Sequence, residues 1–134
     1  MKNDSYAAAK KGKTGLRRII NAFGYSKDGL KAAYRFESAF RQLVLLNAVL
    51  IITAFLLNFG PATRILLIMA SLISLITELF NTAIEAAVDH TSTEKHDLAK
   101  RAKDAGSAAQ LLALTLLALV WLMSLWREYG VNLF

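Results

Sequence analysis

Three carboxylates and an amide stand at Glu78, Asn81, Glu85 and Asp89 in the run ELFNTAIEAAVD (78–89), directly after the apolar stretch ILLIMASLISLIT. At about 100° per helical residue, Asn81, Glu85 and Asp89 lie roughly 300°, 340° and 20° from Glu78, one stripe about 80° wide. Leu79, Phe80, Ile84 and Val88 fall outside it. Three acids on one stripe repel one another and stay ionised together only where lysine, arginine or a divalent metal neutralises them. Magnesium takes carboxylate oxygens, keeps several waters and typically joins one or two carboxylates to substrate phosphates.

Further charges flank the apolar runs: Glu37 before the first, and Lys100, Arg101, Lys103 and Asp104 before the last. Lys100 shares a helix side with Lys103 and with Asp104. Carboxylates for a metal, ammonium groups for phosphate and one base for a hydroxyl are the set that phosphoryl transfer requires. With one end of such a cleft in lipid, a lipid alcohol is the expected acceptor. Anchoring at the membrane surface explains Lys100 and Arg101 equally well; Lys103 beside Asp104 reads as functional.

The elements that must carry these groups are written in the apolar pattern. Hydrophobic residues make up 55% of 134, and the charges come in blocks. Leu43 to Thr63 and Ala105 to Trp126 hold no charge, and the latter, at 22 residues, matches the roughly 20 needed to cross a bilayer core. Ile65 to Thr77 is 13 residues, and helical spacing continues it through Val88. The expectation is an all-α integral membrane protein with spans at about 43–59, 63–88 and 105–127. Asn58-Phe59-Gly60-Pro61, with the chain's one proline, marks the turn between the first two. Thr91 with Glu94 fits a capping box opening a helix that runs into the last span. Ser71, Ser74, Ala83, Ala86 and Gly106 to Ala109 are small residues that let helices approach closely, favouring a tight bundle or oligomer.

Residues 1–13 read as a mobile basic tail, and 14–134 as a single membrane domain. Over 14–41, Leu16, Ile19, Ile20 and Phe23, then Ala33, Phe36 and Phe40, repeat at helical spacing, with Gly24 and Gly29 bracketing a break. Two short amphipathic helices on the cytoplasmic leaflet are expected, basic side toward anionic headgroups. The first 42 residues have no apolar core of a cleavable signal, so the first span is expected to be retained. Ten of the sixteen Lys and Arg precede residue 43 and four lie at 95–103, against Arg64 and Arg127 elsewhere. By the positive-inside rule the N-terminus is cytoplasmic and the C-terminus outside, with Trp126 and Tyr129 in the outer aromatic belt.

Other motifs carry little. Gly12-Lys13-Thr14 resembles the end of a phosphate-binding loop, but that loop's first glycine would fall at Ala7. His90 and His96 are six apart, far round a helix from each other, and the absence of cysteine excludes disulfides and thiol chemistry.

The segments RIINAFGYSKDGLKAA (18–33), ESAFRQ (37–42), ELFNTAIEAAVD (78–89) and EKHDLAKRAKDAGSAA (94–109) resemble the small integral-membrane prokaryotic diacylglycerol kinases. The resemblance extends from about Leu16 to Gly130. ELFNTAIEAAVD is shared with the sister undecaprenol kinases, whereas AKDAGSAA and ESAFRQ look more like the diacylglycerol branch. The resemblance implies a homotrimer of three-span subunits with an N-terminal surface helix and active sites shared at subunit contacts. It further implies MgATP as donor, phosphatidic acid as product, and a bacterial cytoplasmic (inner) membrane location. Glu37 and Glu85 match the acids that hold the nucleotide's metal. Glu78 matches the general base, with Asn81 beside it. Lys103 and Asp104 match residues around the nucleotide phosphates, Arg18 a surface-helix contact to them, and Glu94 and His96 the adenine end. Asp89 receives no role. Leu43 stands where members of the family often carry an acid, and residues 1–13 and 131–134 lie outside the resemblance.

ATP-dependent phosphorylation of diacylglycerol's primary hydroxyl is therefore the expected activity. Its rivals are undecaprenol phosphorylation and a small cation channel or transporter lined by the acidic stripe.

Overall fold

The computed structural model describes residues 15–91 and 96–130. The expected tail 1–13 and Glu94 lie outside the described residues. Four helices follow one another: α1 Leu16–Phe36, α2 Ser38–Leu56, α3 Pro61–Thr91 and α4 Asp97–Leu125, closed by one π-helical turn, Trp126–Gly130. The described residues contain no strand.

Helix α1 is continuous where two short helices were expected. Gly15, at φ 73°, opens it, whereas Gly24 and Gly29 stay at ordinary helical geometry inside it. Each internal glycine costs a helix only about 1 kcal/mol, and no proline follows to stop it. Leu16, Ile19, Ile20 and Phe23 are exposed, an apolar face that no other described residue covers. The helix ends at Phe36 because Glu37 turns extended (φ −107°, ψ 111°). There Arg41 Nη1 donates to the carbonyls of Tyr34 (3.0 Å) and Arg35 (3.1 Å), satisfying oxygens that the helix end leaves unpaired. Residues 38–41, expected in the surface helix, thus open the first span helix.

Helices α2, α3 and α4 are each long and apolar enough to cross a membrane. The 19 residues of α2 rise about 28 Å, near the bilayer core thickness of about 30 Å. The 31 residues of α3 rise about 46 Å, so its end stands clear of the hydrocarbon. At the α2–α3 turn, Arg64 caps the end of α2 through Nε to Ala54 O (3.1 Å) and Nη2 to Leu57 O (3.3 Å). Pro61 takes the first position of α3, where its missing N–H costs nothing.

Two kinds of packing hold the bundle. Near the α2–α3 turn, Ala54, Phe59, Leu67, Ala70, Leu117 and Trp121 form an apolar cluster. Phe59 meets Trp121 edge-on at 6.0 Å and Tyr129 at 6.1 Å, and the Tyr129 hydroxyl accepts from Asn58 N–H at 3.0 Å. Deeper along α3, the buried Asn47 Nδ2 donates to Leu43 O (2.9 Å) and Ser74 Oγ (3.0 Å). Ser74 in turn donates to Ser71 O (2.7 Å). Such interhelical bonds in a membrane contribute about 0.6 to 2 kcal/mol.

The start of α4 differs from the expected capping box. Thr91 is instead the last residue of α3, its hydroxyl bonded back to Ala87 O (2.9 Å) and Val88 O (3.0 Å). His96 is the N-cap, with Nδ1 accepting from Leu98 N–H at 3.3 Å.

Candidate active site

Glu78 is buried on α3, 7% exposed, and is the one charged residue among the described residues that line a groove of about 490 Å³. Ala39, Gln42, Leu43 and Leu46 of α2 and Gln110 and Leu114 of α4 complete its walls. Helical spacing puts Glu78 here: Ser71 and Ser74 precede it on the same α3 face, and all three are buried. Leu43 is buried as well, so the position where an acid was noted as absent supplies an apolar wall. Glu78 makes no ion pair among the described residues. The charges that act on it are the carboxylates of Glu85, one helical stretch along α3, and Glu37, at the α1–α2 break. The structure therefore brings Glu37 and Glu85 each within electrostatic reach of Glu78.

Asn81 is tied to Glu85 rather than to Glu78. Its Nδ2 donates to Glu85 Oε1 over a long 3.4 Å, and its Oδ1 is enclosed with no partner. Opposite, α4 presents Gly106, where an added Cβ would stand 2.5 Å from Asn81 Oδ1 and 3.6 Å from Ile84 Cδ1. Glycine is required for this approach, yet what it touches is the end of a side chain that can turn away. Gly106→Ala is therefore expected to leave stability in detergent nearly unchanged while lowering kcat about tenfold, because the displaced Asn81 no longer steadies Glu85. Thermal unfolding and turnover, measured side by side, check this.

The basic groups sit in two exposed ion pairs. Lys103 Nζ reaches Asp89 at 2.9 and 3.3 Å, and Lys100 Nζ reaches Asp104 Oδ2 at 2.8 Å. Lys103 and Asp104 thus engage different partners, and Asp89, unassigned in sequence, joins the end of α3 to the start of α4. Water screens such exposed pairs, so Lys103 can leave Asp89 for another anionic partner at little cost. His96 is exposed at the same end. Arg18 is exposed in the first turn of α1, about 28 Å of helix rise from Glu37. That rise keeps Arg18 away from Glu37 of its own chain.

Among the described residues, no three His, Cys, Asp or Glu side chains gather closely enough to hold a metal by themselves. Glu37 and Glu85 have no cation partner among those residues. Two carboxylates without a cation partner suit magnesium, which completes its shell with water and phosphate oxygens. Glu37 also lines a cleft of about 640 Å³ between α1 and α3, with Ala33, Phe36, Leu79 and Ala83.

Sequence reasoning passed over Gln42, Asn47 and Gln110. The signal was present: Asn47 and Gln110 are lone amides inside otherwise apolar runs.

The sequence pattern of the family described as "Prokaryotic diacylglycerol kinase" matches residues 24–125. The chain belongs to this family. Proteins named diacylglycerol kinase are similar along most of their length. That of Pseudomonas aeruginosa is 59% identical over 111 residues, covering 83% of this chain and 90% of the relative. That of Escherichia coli K12 is 44% identical over 117 residues (87% and 96%), and that of Helicobacter pylori 49% over 107 residues (80% and 84%). As a member of the prokaryotic diacylglycerol kinase family with three helices able to span a bilayer, this is a bacterial membrane protein.

Proposed function

We propose that the protein phosphorylates the primary hydroxyl of diacylglycerol, with ATP as donor, to give phosphatidic acid. The observation that carries this reading is the placement of Glu78: a buried carboxylate without a cation, in a groove walled by leucines at membrane depth, with Glu85 and Glu37 nearby. The hydroxyl of a lipid can lie in that groove with its acyl chains beside the apolar helix faces. Glu78 takes the hydroxyl proton as the oxygen attacks the γ-phosphorus. The new O–P bond forms while the bond to the β–γ bridging oxygen breaks, and ADP leaves with that oxygen. Glu37 and Glu85 would hold magnesium, which would supply positive charge against the triphosphate. Lys103 releases Asp89 to meet a phosphate, with Asp104 and Asn81 orienting the surrounding groups. His96 would meet the adenine end of the nucleotide, the role that the family resemblance also gives Glu94.

The rise along α1 that separates Arg18 from Glu37 of its own chain supports a site shared between copies, in which Arg18 of one subunit reaches the nucleotide of the next. A homotrimer is the proposed assembly. The excess of Lys and Arg before α2 and before α4 supports a nucleotide end facing the cytoplasm, with the C-terminus outside.

Purified enzyme given labelled ATP with diacylglycerol and undecaprenol together tests this. Label is expected in phosphatidic acid. Label confined to the polyprenol would overturn the substrate assignment, and ion flux in liposomes without phosphorylation of either lipid would overturn the kinase reading.

A further inference from the structure

We infer that Gln110 is a specificity-determining residue, whose side-chain amide donates a hydrogen bond to an ester carbonyl of the acceptor lipid. This rests on the reading of the Glu78 groove as the lipid-alcohol site. Gln110 lies on α4 one turn beyond Gly106, inside the uncharged run that begins at Ala105. An amide at this depth is costly unless it is paired, because hydrocarbon offers no water to satisfy it. Yet Gln110 makes no hydrogen bond among the described residues. Its carbonyl oxygen is enclosed without a partner, whereas its nitrogen is neither bonded nor enclosed. The fold therefore gains nothing from this amide through its own hydrogen bonds. By contrast, the nitrogen of Asn47, the fully buried amide between α2 and α3, is engaged by Leu43 and Ser74, although its oxygen, like that of Gln110, is enclosed without a partner among the described residues.

The groove explains the difference. Gln110 shares its walls with the base, Glu78, and the other wall residues apart from Gln42 are Ala39, Leu43, Leu46 and Leu114, none of which has a side chain able to donate. A diacylglycerol presents two kinds of polar group to such a site. Its hydroxyl needs an acceptor, which Glu78 is. Its ester carbonyls accept only and need a donor, which the free Gln110 N–H supplies. A site built to hydrogen-bond a substrate group discriminates against an analogue that lacks it. Gln110 thus favours glycerol esters over alcohols without a carbonyl near the hydroxyl.

The test compares a short-chain diacylglycerol with its dialkyl ether analogue, which keeps the hydroxyl and chains but has no carbonyl. Wild-type enzyme is expected to favour the diester in kcat/KM by about five- to tenfold. In Gln110→Leu and Gln110→Met that ratio falls to about one through loss on the diester, and turnover of the ether reports a folded enzyme. A wild-type ratio near one overturns the inference whatever the variants do. So does a ratio unchanged in either variant, or an equal loss on both lipids. If wild type phosphorylates neither lipid, the kinase reading itself fails.

Discussion

Glu78→Gln is expected to lower kcat for lipid phosphorylation by about a thousandfold or more, while the protein still folds and still binds MgATP. Glutamine has nearly the volume of glutamate, so the groove walls of Leu43, Leu46 and Leu114 need not move. Removal of a buried charge without an ion-pair partner also leaves no cation stranded, so stability should hold or rise. What is lost is the acceptor for the hydroxyl proton; general-base catalysis contributes about a hundred- to ten-thousandfold. Single-turnover kinetics with labelled ATP, together with a nucleotide-binding titration and thermal unfolding in detergent, separate these effects. Turnover near the wild-type rate would remove Glu78 from the role of base.

Glu85→Gln is expected to act on a different step. Kcat/KM for MgATP should fall about a hundredfold or more, and the magnesium concentration giving half-maximal rate should rise. Loss of a residue that merely steadies a metal ligand already costs about ten- to a hundredfold, and Glu85 is proposed as the ligand. Its neighbour Asn81, bonded to it at 3.4 Å, would remain in place. A magnesium titration at fixed ATP distinguishes the two variants: excess metal partly restores Glu85→Gln and leaves Glu78→Gln inactive. An unchanged magnesium requirement in Glu85→Gln would show that the metal is held elsewhere.

Much of this site was legible in one helix. The spacing of Glu78, Asn81, Glu85 and Asp89 defines a stripe because an α-helix has a fixed angle per residue. The apolar runs likewise announce three spans, since backbone in hydrocarbon must satisfy its own hydrogen bonds. Boundaries were less legible. Gly24 and Gly29 look like breaks, yet α1 runs through both, because glycine weakens a helix without ending it. Thr91 looks like a cap, but its hydroxyl turns back to Ala87 and Val88, and His96 caps the next helix instead.

The sequence by itself determined the all-helical membrane class, the family, and which acids share a face of α3. These depend on periodicity and on local motifs, which are properties of neighbours along the chain. Only the tertiary structure decided that Asp89 pairs with Lys103, that Asn81 lies against Gly106 and Glu85, and that Gln110 shares the groove of Glu78. Each of the three joins α3 to α4, and it is the register and rotation of these two packed helices that set which side chains meet. Packing between the two helices sets that register, and no spacing within one helix reveals it.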